Sequence, residues 1–524
     1  MENVSDEHKS IRSAGKVSFG TLSSRILGLV REQVFAYLFG AGMAADAFIA
    51  AFRIPNLLRD MFAEGALSAA FVPTFTEKLA KEGKEDAFRV ARIILSFLLI
   101  IVSLIVAAGI VFAPGIVNQI AGGFEDVEGK IALTTNLARV MMPFLLLVSL
   151  AALLMGILNS LGVFGIPAFA PMLLNIGMIL AGFLICPFFD PPIMGMAIGV
   201  ILGGAGQFLF QMPAVLKRGF KFRLNFDFAN PAFVRIIKLM IPMAIGFSAT
   251  QINVFVVTRI AASLSEGSVA YLNYAFRLMH LPLGMFALAI ATVSLPQISR
   301  YAALDDTESM AEAYQRSLKL GLFLVIPAEV MLIFGGGIII SVLFQHGSFM
   351  PSDTLNAAAA LAYYSIGLLA FAAVRITVPV FYAFKETGKP IIVSLISVAL
   401  NIFLCYTFKD SLGYRGLALA ASLSGFLNIL ILLILLKHRL PQINLARQLL
   451  PLGRIIMANL ILALGIYLYS NYIAGNITEE ALPLRIMHLA VILAGGAALY
   501  LASARLLMVE QISGLKEIFR RIKG

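Results

Sequence analysis

The segment from residue 93 to residue 111 reads IILSFLLIIVSLIVAAGIV, a run of nineteen residues without a charged side chain. A transmembrane α-helix needs about 20 consecutive apolar residues, because each residue adds ~1.5 Å and the hydrocarbon core is about 30 Å thick. A membrane β-strand would instead alternate polar and apolar residues. The run therefore predicts a membrane-spanning helix.

The composition of the whole chain extends this prediction to many such helices. Of the 524 residues, 60% are hydrophobic and 13% are charged, and the mean hydropathy is +0.91. A soluble domain carries about 45–50% apolar and about 25% charged residues, so this composition excludes a soluble enzyme. We predict an all-α, polytopic membrane protein.

Apolar segments of spanning length follow one another along the chain with short breaks, and we count fourteen. The first two are the least hydrophobic, because they contain many charged residues. The predicted spans are 17–40, 43–74, 88–114, 131–158, 165–188, 193–216, 232–262, 268–298, 318–345, 355–384, 390–408, 414–436, 449–473 and 485–508.

The charge of the loops indicates how the chain is oriented. A net charge of +11 would suggest nucleic-acid binding in a soluble protein, but in a membrane protein basic residues mark cytoplasmic loops. Basic residues cluster after spans 2, 6 and 12 and in the C-terminal tail, whereas the loops near 123–130 and 474–485 are acidic. This alternation predicts that the number of spans is even and that both termini are cytoplasmic. It also explains the basic excess without a nucleic-acid partner.

Short sequence matches indicate an internal repeat. Ala51-Phe52-Arg53 recurs as Ala275-Phe276-Arg277, and the glycine-flanked segment 195–204 resembles 416–425. The separation corresponds to six spans in both cases. Repeats of whole six-helix units are a transporter feature, with the substrate site between the two halves.

The repeat predicts the domain organisation. Residues 1–228 form an N-terminal lobe with spans 1–6, and residues 229–440 form a homologous C-terminal lobe with spans 7–12. Residues 441–524 add two further helices and a short basic amphipathic tail, which we expect to lie on the inner membrane face.

Charged residues inside the predicted spans are the main functional signal, because a charge in hydrocarbon is costly and marks a functional site by default. Arginine stays charged in a low dielectric and binds phosphate oxygens in a bidentate fork, so an arginine cluster suits a phosphate or pyrophosphate ligand. Twelve charged residues inside the spans are candidates, and eight of them fall in spans 1 and 2. The twelve are Arg25, Arg31, Glu32, Asp46, Arg53, Arg59, Asp60, Glu64, Arg139, Arg277, Glu329 and Arg375.

Some of these charges have a structural interpretation. Asp46, Arg53, Asp60 and Glu64 fall within about 40° of one another on a helical wheel, so this stripe can largely neutralise itself. This pattern favours a structural role for the acids of the stripe. Arg277 has no acid within one helical turn, which favours a ligand role.

The remaining polar residues carry little catalytic signal. Glu329 follows Pro327 and fits a proton or ion site as well as it fits a hydrogen-bonded structural position. The five histidines have no metal-binding spacing, and the chain has no Walker loop. We therefore predict neither an enzyme nor a bound cofactor.

Several long motifs resemble the MurJ/MviN family of lipid II flippases, within the multidrug/oligosaccharidyl-lipid/polysaccharide exporter superfamily. The resemblance runs through the whole chain, as six plus six plus two spans. The motifs are Ser24–Arg31 (SRILGLVR), Phe39–Phe48 (FGAGMAADAF), Arg53–Arg59 (RIPNLLR), Phe62–Ala66 (FAEGA) and Tyr274–Pro282 (YAFRLMHLP).

The resemblance implies a substrate and a mechanism. The substrate would be lipid II, undecaprenyl-pyrophosphate carrying a disaccharide-pentapeptide, flipped from the inner to the outer leaflet of the bacterial cytoplasmic membrane by alternating access. It implies that Arg25, Arg31, Arg59 and Arg277 bind the pyrophosphate. Spans 13 and 14 would shape a groove for the lipid tail, with membrane lipids around it and cell-wall synthesis proteins as further partners.

The same resemblance implies structural or gating roles for Asp46 and Glu64. As charged residues inside the spans, Arg53 and Glu329 are further candidates for secondary or gating roles. Some relatives have acids for a sodium site in spans 7 and 11, and both spans lack Asp and Glu here. We therefore expect dependence on the membrane potential, or on an ion held elsewhere.

Other functions stay open from the residues alone. The chain fits a flippase for another polyprenyl-pyrophosphate-linked oligosaccharide, or a drug/cation antiporter of the same superfamily. An intramembrane enzyme would need a convergent catalytic acid, histidine or metal pair. A non-transporting scaffold would carry its charges in the loops rather than in the spans.

Overall fold

The computed structural model describes residues 2–59, 67–443, 445–475 and 477–512, and it describes side chains except at 2–18, 244–250 and 445–449. Within these ranges the secondary structure is entirely helical, which confirms the all-α prediction. The long apolar runs form helices because a helix satisfies every backbone hydrogen bond internally, as a bilayer requires.

Twenty-one α-helices follow one another in the described chain. Short 3₁₀ turns connect some of them at Gly122–Asp126 and Cys186–Phe188, and π-helical turns occur at Leu283–Ala287 and Val491–Gly495. The α-helices are α1 (Glu2–Phe39), α2 (Met43–Arg59), α3 (Leu67–Lys81), α4 (Lys84–Val111), α5 (Ala113–Ala121), α6 (Lys130–Met141), α7 (Phe144–Ser160), α8 (Gly165–Phe169), α9 (Met172–Leu184), α10 (Ile193–Leu216), α11 (Pro231–Ala262), α12 (Ser268–Pro282), α13 (Leu288–Ala303), α14 (Thr307–Phe344), α15 (Pro351–Ser365), α16 (Leu368–Ala383), α17 (Gly388–Leu412), α18 (Tyr414–Arg439), α19 (Leu445–Tyr472), α20 (Leu482–Ala490) and α21 (Gly496–Leu506).

Ten helical segments of the described chain are long and apolar enough to cross a membrane, and the bent pair α15–α16 makes an eleventh. The predicted spans 17–40, 43–74 and 232–262 are not among them. Each of these three coincides with helix, since α1, α2–α3 and α11 cover them except at 60–66. The polytopic membrane architecture is confirmed, and the count of fourteen stays a prediction.

The chain divides into two compact units, residues 1–267 and 268–524. Helix α11, which the repeat assigns to the second lobe, therefore belongs to the first unit. Arg235 near its start pairs with Glu77 at 2.7 Å, and Arg259 near its end donates to the backbone oxygen of Gln119 at 2.8 Å. The lobes 1–228 and 229–440 and the segment 441–524 describe a repeat in the sequence, and they stay a prediction.

The first unit is built on close helix contacts. Gly177 of α9 faces Gly203 of α10 so tightly that a Cβ atom on Gly177 would lie 2.7 Å from the Gly203 Cα atom. Small residues allow this approach, which gives membrane helices extensive van der Waals contact. A chain of phenylalanines, from Phe35 through Phe48 and Phe52 to Phe144, ties α1, α2 and α7 together.

The second unit contains a span that is broken in the middle. Helices α15 and α16 meet at a bend of 44° near Gly367, where the prediction had one continuous span at 355–384. A Cβ atom on Gly367 would lie 2.7 Å from the Cα atom of Ser422, so only glycine allows α18 this close. The Ser422 hydroxyl donates to the carbonyl oxygens of Tyr363 and Tyr364, at 2.7 and 3.2 Å.

Candidate substrate-binding and gating residues

The arginines of the first unit lie in different environments. Arg25 is exposed on α1. Arg53 and Arg59 are half-buried on α2, and Arg59 is the last residue of that helix. Both of these make polar interactions within the structure. Arg25 is thus the most accessible of the three guanidinium groups to an anionic ligand.

Arg31 is buried, with 7% of its surface exposed. Its Nη2 atom forms a short ion pair with the carboxylate of the neighbouring Glu32. Its Nη1 atom lies 3.9 Å from the sulfur of Met178 on α9. Arg31 is therefore neutralised locally in this structure, and a pyrophosphate would have to replace Glu32 as its partner.

Asp46 lies at the centre of a buried polar network. Its carboxylate accepts a hydrogen bond from Lys130 Nζ at 2.9 Å and another from the backbone N–H of Gly267 at 2.8 Å. Lys130 also lies over the ring of Phe124, 4.1 Å from its centroid. Asp46 and Lys130 are 1% and 2% exposed. The network joins the start of α2, the start of α6 and the end of the first unit.

This network adds two features to the sequence prediction. We expected the stripe along α2 to neutralise Asp46, and the structure shows a buried ion pair with Lys130 of α6 as well. We counted Lys130 with the acidic loop near 123–130, and it is the first residue of α6 with a buried side chain. The sequence signal that could have shown this was a lone lysine beside three acids at the start of an apolar span.

The second unit brings two arginines close to one histidine. Arg277 on α12 and Arg375 on α16 are both exposed, and both act electrostatically on the imidazole of His280. The Phe276 ring lies against His280, with 4.0 Å between ring centroids, and the His280 Nδ1 atom is 3.0 Å from the Phe276 carbonyl oxygen. The arrangement brings the charges of two arginines from different predicted spans to the same histidine.

Glu329 serves the broken span. Its Oε2 atom accepts a hydrogen bond from the backbone N–H of Leu369, at 3.1 Å. That N–H lies in the first turn of α16, where it has no partner within the helix. A carboxylate is also favourable at a helix N-terminus because of the helix dipole. Glu329 therefore replaces a helix cap that the sequence around Gly367 does not supply.

Metal chemistry finds no support among the residues that the structure describes, which contain no group of three His, Cys, Asp or Glu side chains able to hold an ion. Three predicted features lie outside the described residues. Asp60 and Glu64 fall in the undescribed segment 60–66, and most of the basic tail falls in 513–524. The sequence count omitted three basic residues of span 232–262, which are Arg235 and Lys238 near the start of α11 and Arg259 near its end.

Comparison with known proteins identifies the family. A family model described as "Lipid II flippase MurJ" matches residues 35–487. This chain belongs to the MurJ family of lipid II flippases. A relative from Vibrio cholerae, named "Probable lipid II flippase MurJ", is 40% identical over 82% of this chain and 84% of its own length. A relative of the same name from Bdellovibrio bacteriovorus is 33% identical over 98% of this chain and 97% of its own length.

Solved structures agree with the family and with the fold. A structure of "Lipid II flippase MurJ, inward closed conformation" superposes with a TM-score of 0.79 at 28% identity, over 95% of this chain and 99% of that chain. An inward-facing multidrug transporter of the MATE family, in the MOP superfamily, gives a TM-score of 0.69 at 16% identity over 80% of this chain and 95% of that chain. The second likeness shows the fold alone.

Proposed function

We propose that this chain flips lipid II from the inner to the outer leaflet of the bacterial cytoplasmic membrane by alternating access. The observation that carries this proposal is the family match over residues 35–487, supported by a relative that covers nearly the whole chain. The protein is a transporter and not an enzyme. The sugar-peptide head group of lipid II is too polar to cross hydrocarbon unaided, because burying unpaired polar groups is costly.

The arginines are proposed as pyrophosphate ligands. Arg25 and Arg277 are exposed on their helices, and Arg59 lies at the end of α2. Each can offer a planar pair of N–H donors to phosphate oxygens, which lysine cannot. Arg31 joins them when the pyrophosphate replaces Glu32, a step that couples substrate binding to a change of ion-pair partner.

Gating is proposed for the polar groups that hold helix ends. The described conformation of the first unit is stabilised by the buried Asp46–Lys130 pair and the Gly267 contact. During transport these contacts either break, or they persist and act as a hinge about which the helices move. Glu329 has the corresponding role at the broken span. Arg53 and Glu64 are assigned secondary roles on the strength of the family motif.

The energy source is proposed to be the membrane potential, with an ion as the alternative. Moving one charge through 100 mV is worth about 2.3 kcal/mol, so a cationic transport site responds to the potential. In proteoliposomes with purified lipid II, an inside-negative and an inside-positive potassium diffusion potential should give different flipping rates. Equal rates at both polarities and at zero potential would leave an ion gradient as the driver.

The sharpest test of the function uses Arg277. Arg277→Ala should fail to support growth when the native protein is depleted, with normal protein level, and lipid II should accumulate in the inner leaflet. Arg277→Lys should restore only part of the activity, because it keeps the charge and loses the fork. Arg415→Ala is a matched control, since Arg415 is also exposed and bonds to Tyr414. Full growth with Arg277→Ala would contradict the proposed role.

Orientation and partners are the finer parts of the proposal. The loop charges support cytoplasmic N- and C-termini, and a reporter fused to the C-terminus that is active only in the cytoplasm should be active. Spans 13 and 14 are proposed to hold the lipid tail, and cell-wall synthesis proteins are proposed as functional partners because they use lipid II on the outer leaflet.

A further inference from the structure

The connection between α10 and α11 has an unusual sequence and an unusual path. Residues 217–228, here called the strap, read KRGFKFRLNFDF, with an apolar residue at every second position from Phe220 to Phe228 and four basic residues before Leu224. Residues 220–227 form neither helix nor strand. The strap is nevertheless fixed in place along α4.

Four contacts hold the inner side of the strap. Phe220 is buried against Phe88, with ring centroids 5.4 Å apart. The backbone N–H of Asn225 donates to the Ser96 hydroxyl at 2.8 Å. Asp227 pairs with Arg89 at 3.1 Å, and the Phe228 ring lies 6.5 Å from that of Phe97. The outer side of the strap is thereby held in one orientation.

The contacts place the strap beside the part of α4 where the sequence changes from charged to apolar residues. Helix α4 carries charged residues up to Arg92 and is apolar from Ile93 onwards apart from two serines. The strap contacts α4 between Phe88 and Phe97, a rise of about 13 Å along the helix. It therefore lies across the boundary between water and hydrocarbon, where the phospholipid head groups are.

The outer side of the strap combines exposed apolar and basic side chains. Leu224 and Phe226 are 59% and 57% exposed, and Phe222 is also exposed. Lys221 and Arg223, which flank Phe222, are exposed as well, and in the described part of the chain no carboxylate lies within ion-pair distance of either.

Further charge around the strap strengthens the basic character of the surface. The pKa of Glu85 on α4 is lowered, mainly by a hydrogen bond from Arg92 and further by the positive charges of Lys221 and Arg223. Arg89 and Arg92 are already paired with acids, and so is Arg235 of α11. Lys221 and Arg223 keep their positive charge available to a ligand on the outer side of the strap.

We propose that the strap binds anionic phospholipids of the cytoplasmic leaflet, with Lys221 and Arg223 on the phosphates and Phe222, Leu224 and Phe226 among the upper acyl chains. A soluble acidic partner would not need the exposed apolar side chains, and a neutral lipid surface would not need the two bases. Aromatic residues and basic residues at the head-group level are a recognised membrane anchor. The proposal rests on the cytoplasmic orientation proposed above, but not on lipid II transport.

The absence of tryptophan from the chain allows a direct test. The Leu224→Trp protein has a single tryptophan as the fluorescent reporter on the strap. It is reconstituted without lipid II into phosphatidylcholine vesicles in which about a quarter of the lipid is phosphatidylglycerol. Bromine on the acyl chains of one lipid or the other quenches the reporter by contact. We expect brominated phosphatidylglycerol to quench more than its share of the lipid predicts.

A charge variant tests the role of the bases. Adding Lys221→Gln and Arg223→Gln should lower the preference for phosphatidylglycerol about thirtyfold, because one base near an anionic surface is worth about a fivefold change in binding. Lys385→Gln with Lys437→Gln is the matched control, since it removes two exposed bases of the second unit. That control should leave the preference unchanged.

Three outcomes would overturn the proposal. Equal quenching by the two brominated lipids would show an apolar contact without selection for charge. No quenching by either would show that the strap faces water or a protein. Equal loss of preference in the control variant would show a response to net charge alone. Because lipid II is absent, each of these outcomes is separate from a failure of the proposed transport function.

Discussion

The Asp46–Lys130 pair gives the most quantitative prediction. Lys130→Met removes one partner of an ion pair in which both side chains are at least 98% buried, and the Asp46 carboxylate keeps its hydrogen bond from the Gly267 N–H. Removing one partner of a buried pair costs about 3–5 kcal/mol. The surviving bond to the carboxylate favours the lower end, so we expect a loss of about 3 kcal/mol.

The double variant isolates the reason for that loss. Asp46→Asn with Lys130→Met has no buried charge at this site, and the asparagine still accepts the Gly267 N–H. It should therefore be more stable than Lys130→Met alone, although it contains one more substitution. This sign distinguishes an uncompensated charge from simple loss of packing around the lysine stem.

The assay is thermal unfolding of the purified protein in detergent, followed by a size-exclusion readout. For a unit of this size, about 3 kcal/mol corresponds to a drop of roughly 6–12 °C in the midpoint. Lys81→Met is the surface control, because Lys81 pairs with Glu77 on an exposed helix face and should cause little change. A Lys130→Met midpoint equal to wild type, or a double variant no more stable than Lys130→Met, would refute the reasoning.

Three further predictions concern the broken span and the Glu386–Arg439 contact. Glu329→Gln should keep a helix-capping acceptor and a normal melting midpoint, whereas Glu329→Leu should lose about 1–3 kcal/mol; equal midpoints would contradict the capping role. Gly367→Val should lower the yield of folded protein, because a Cβ atom there collides with Ser422, and normal yield would show that α18 can move. The pKa of Glu386 is lowered mainly by Arg439, so this contact stabilises the protein above the ordinary pKa of a free carboxyl and is lost as the pH falls through the lowered value. The difference in melting midpoint between wild type and Glu386→Gln should thus shrink on acidification, and a difference that grows would contradict the sign.

Local sequence predicts the helices of this protein well, because hydropathy and helix length act over one segment at a time. The prediction of 193–216 coincides with α10, and 414–436 falls three residues short of the end of α18. The break in 355–384 was not predictable in the same way. It depends on Ser422 and Glu329, which are distant in sequence and reach the bend only in the folded chain.

The candidate site also has residues that the local sequence reveals and contacts that only the folded chain reveals. The arginines were found because a charged residue within an apolar span is visible in the sequence. The partner of Asp46 was not found, because Lys130 lies at a predicted loop end and 84 positions away. Hydropathy averages cannot show that a lysine at the first position of a helix is directed into the protein.

The different environments of the arginines have a mechanistic consequence. A site made of exposed arginines alone would repel itself when empty, whereas a pair such as Arg31 with Glu32 stays neutral until an anion competes for the guanidinium. The pyrophosphate offers more oxygens than one carboxylate, so it can take over Arg31 once Arg25 or Arg59 has brought it close. Glu32 then loses its ion pair with Arg31 in a buried position, and breaking a buried ion pair is costly. Substrate binding would in this way destabilise the resting arrangement of α1 and favour a conformational change, which is what alternating access requires of its ligand.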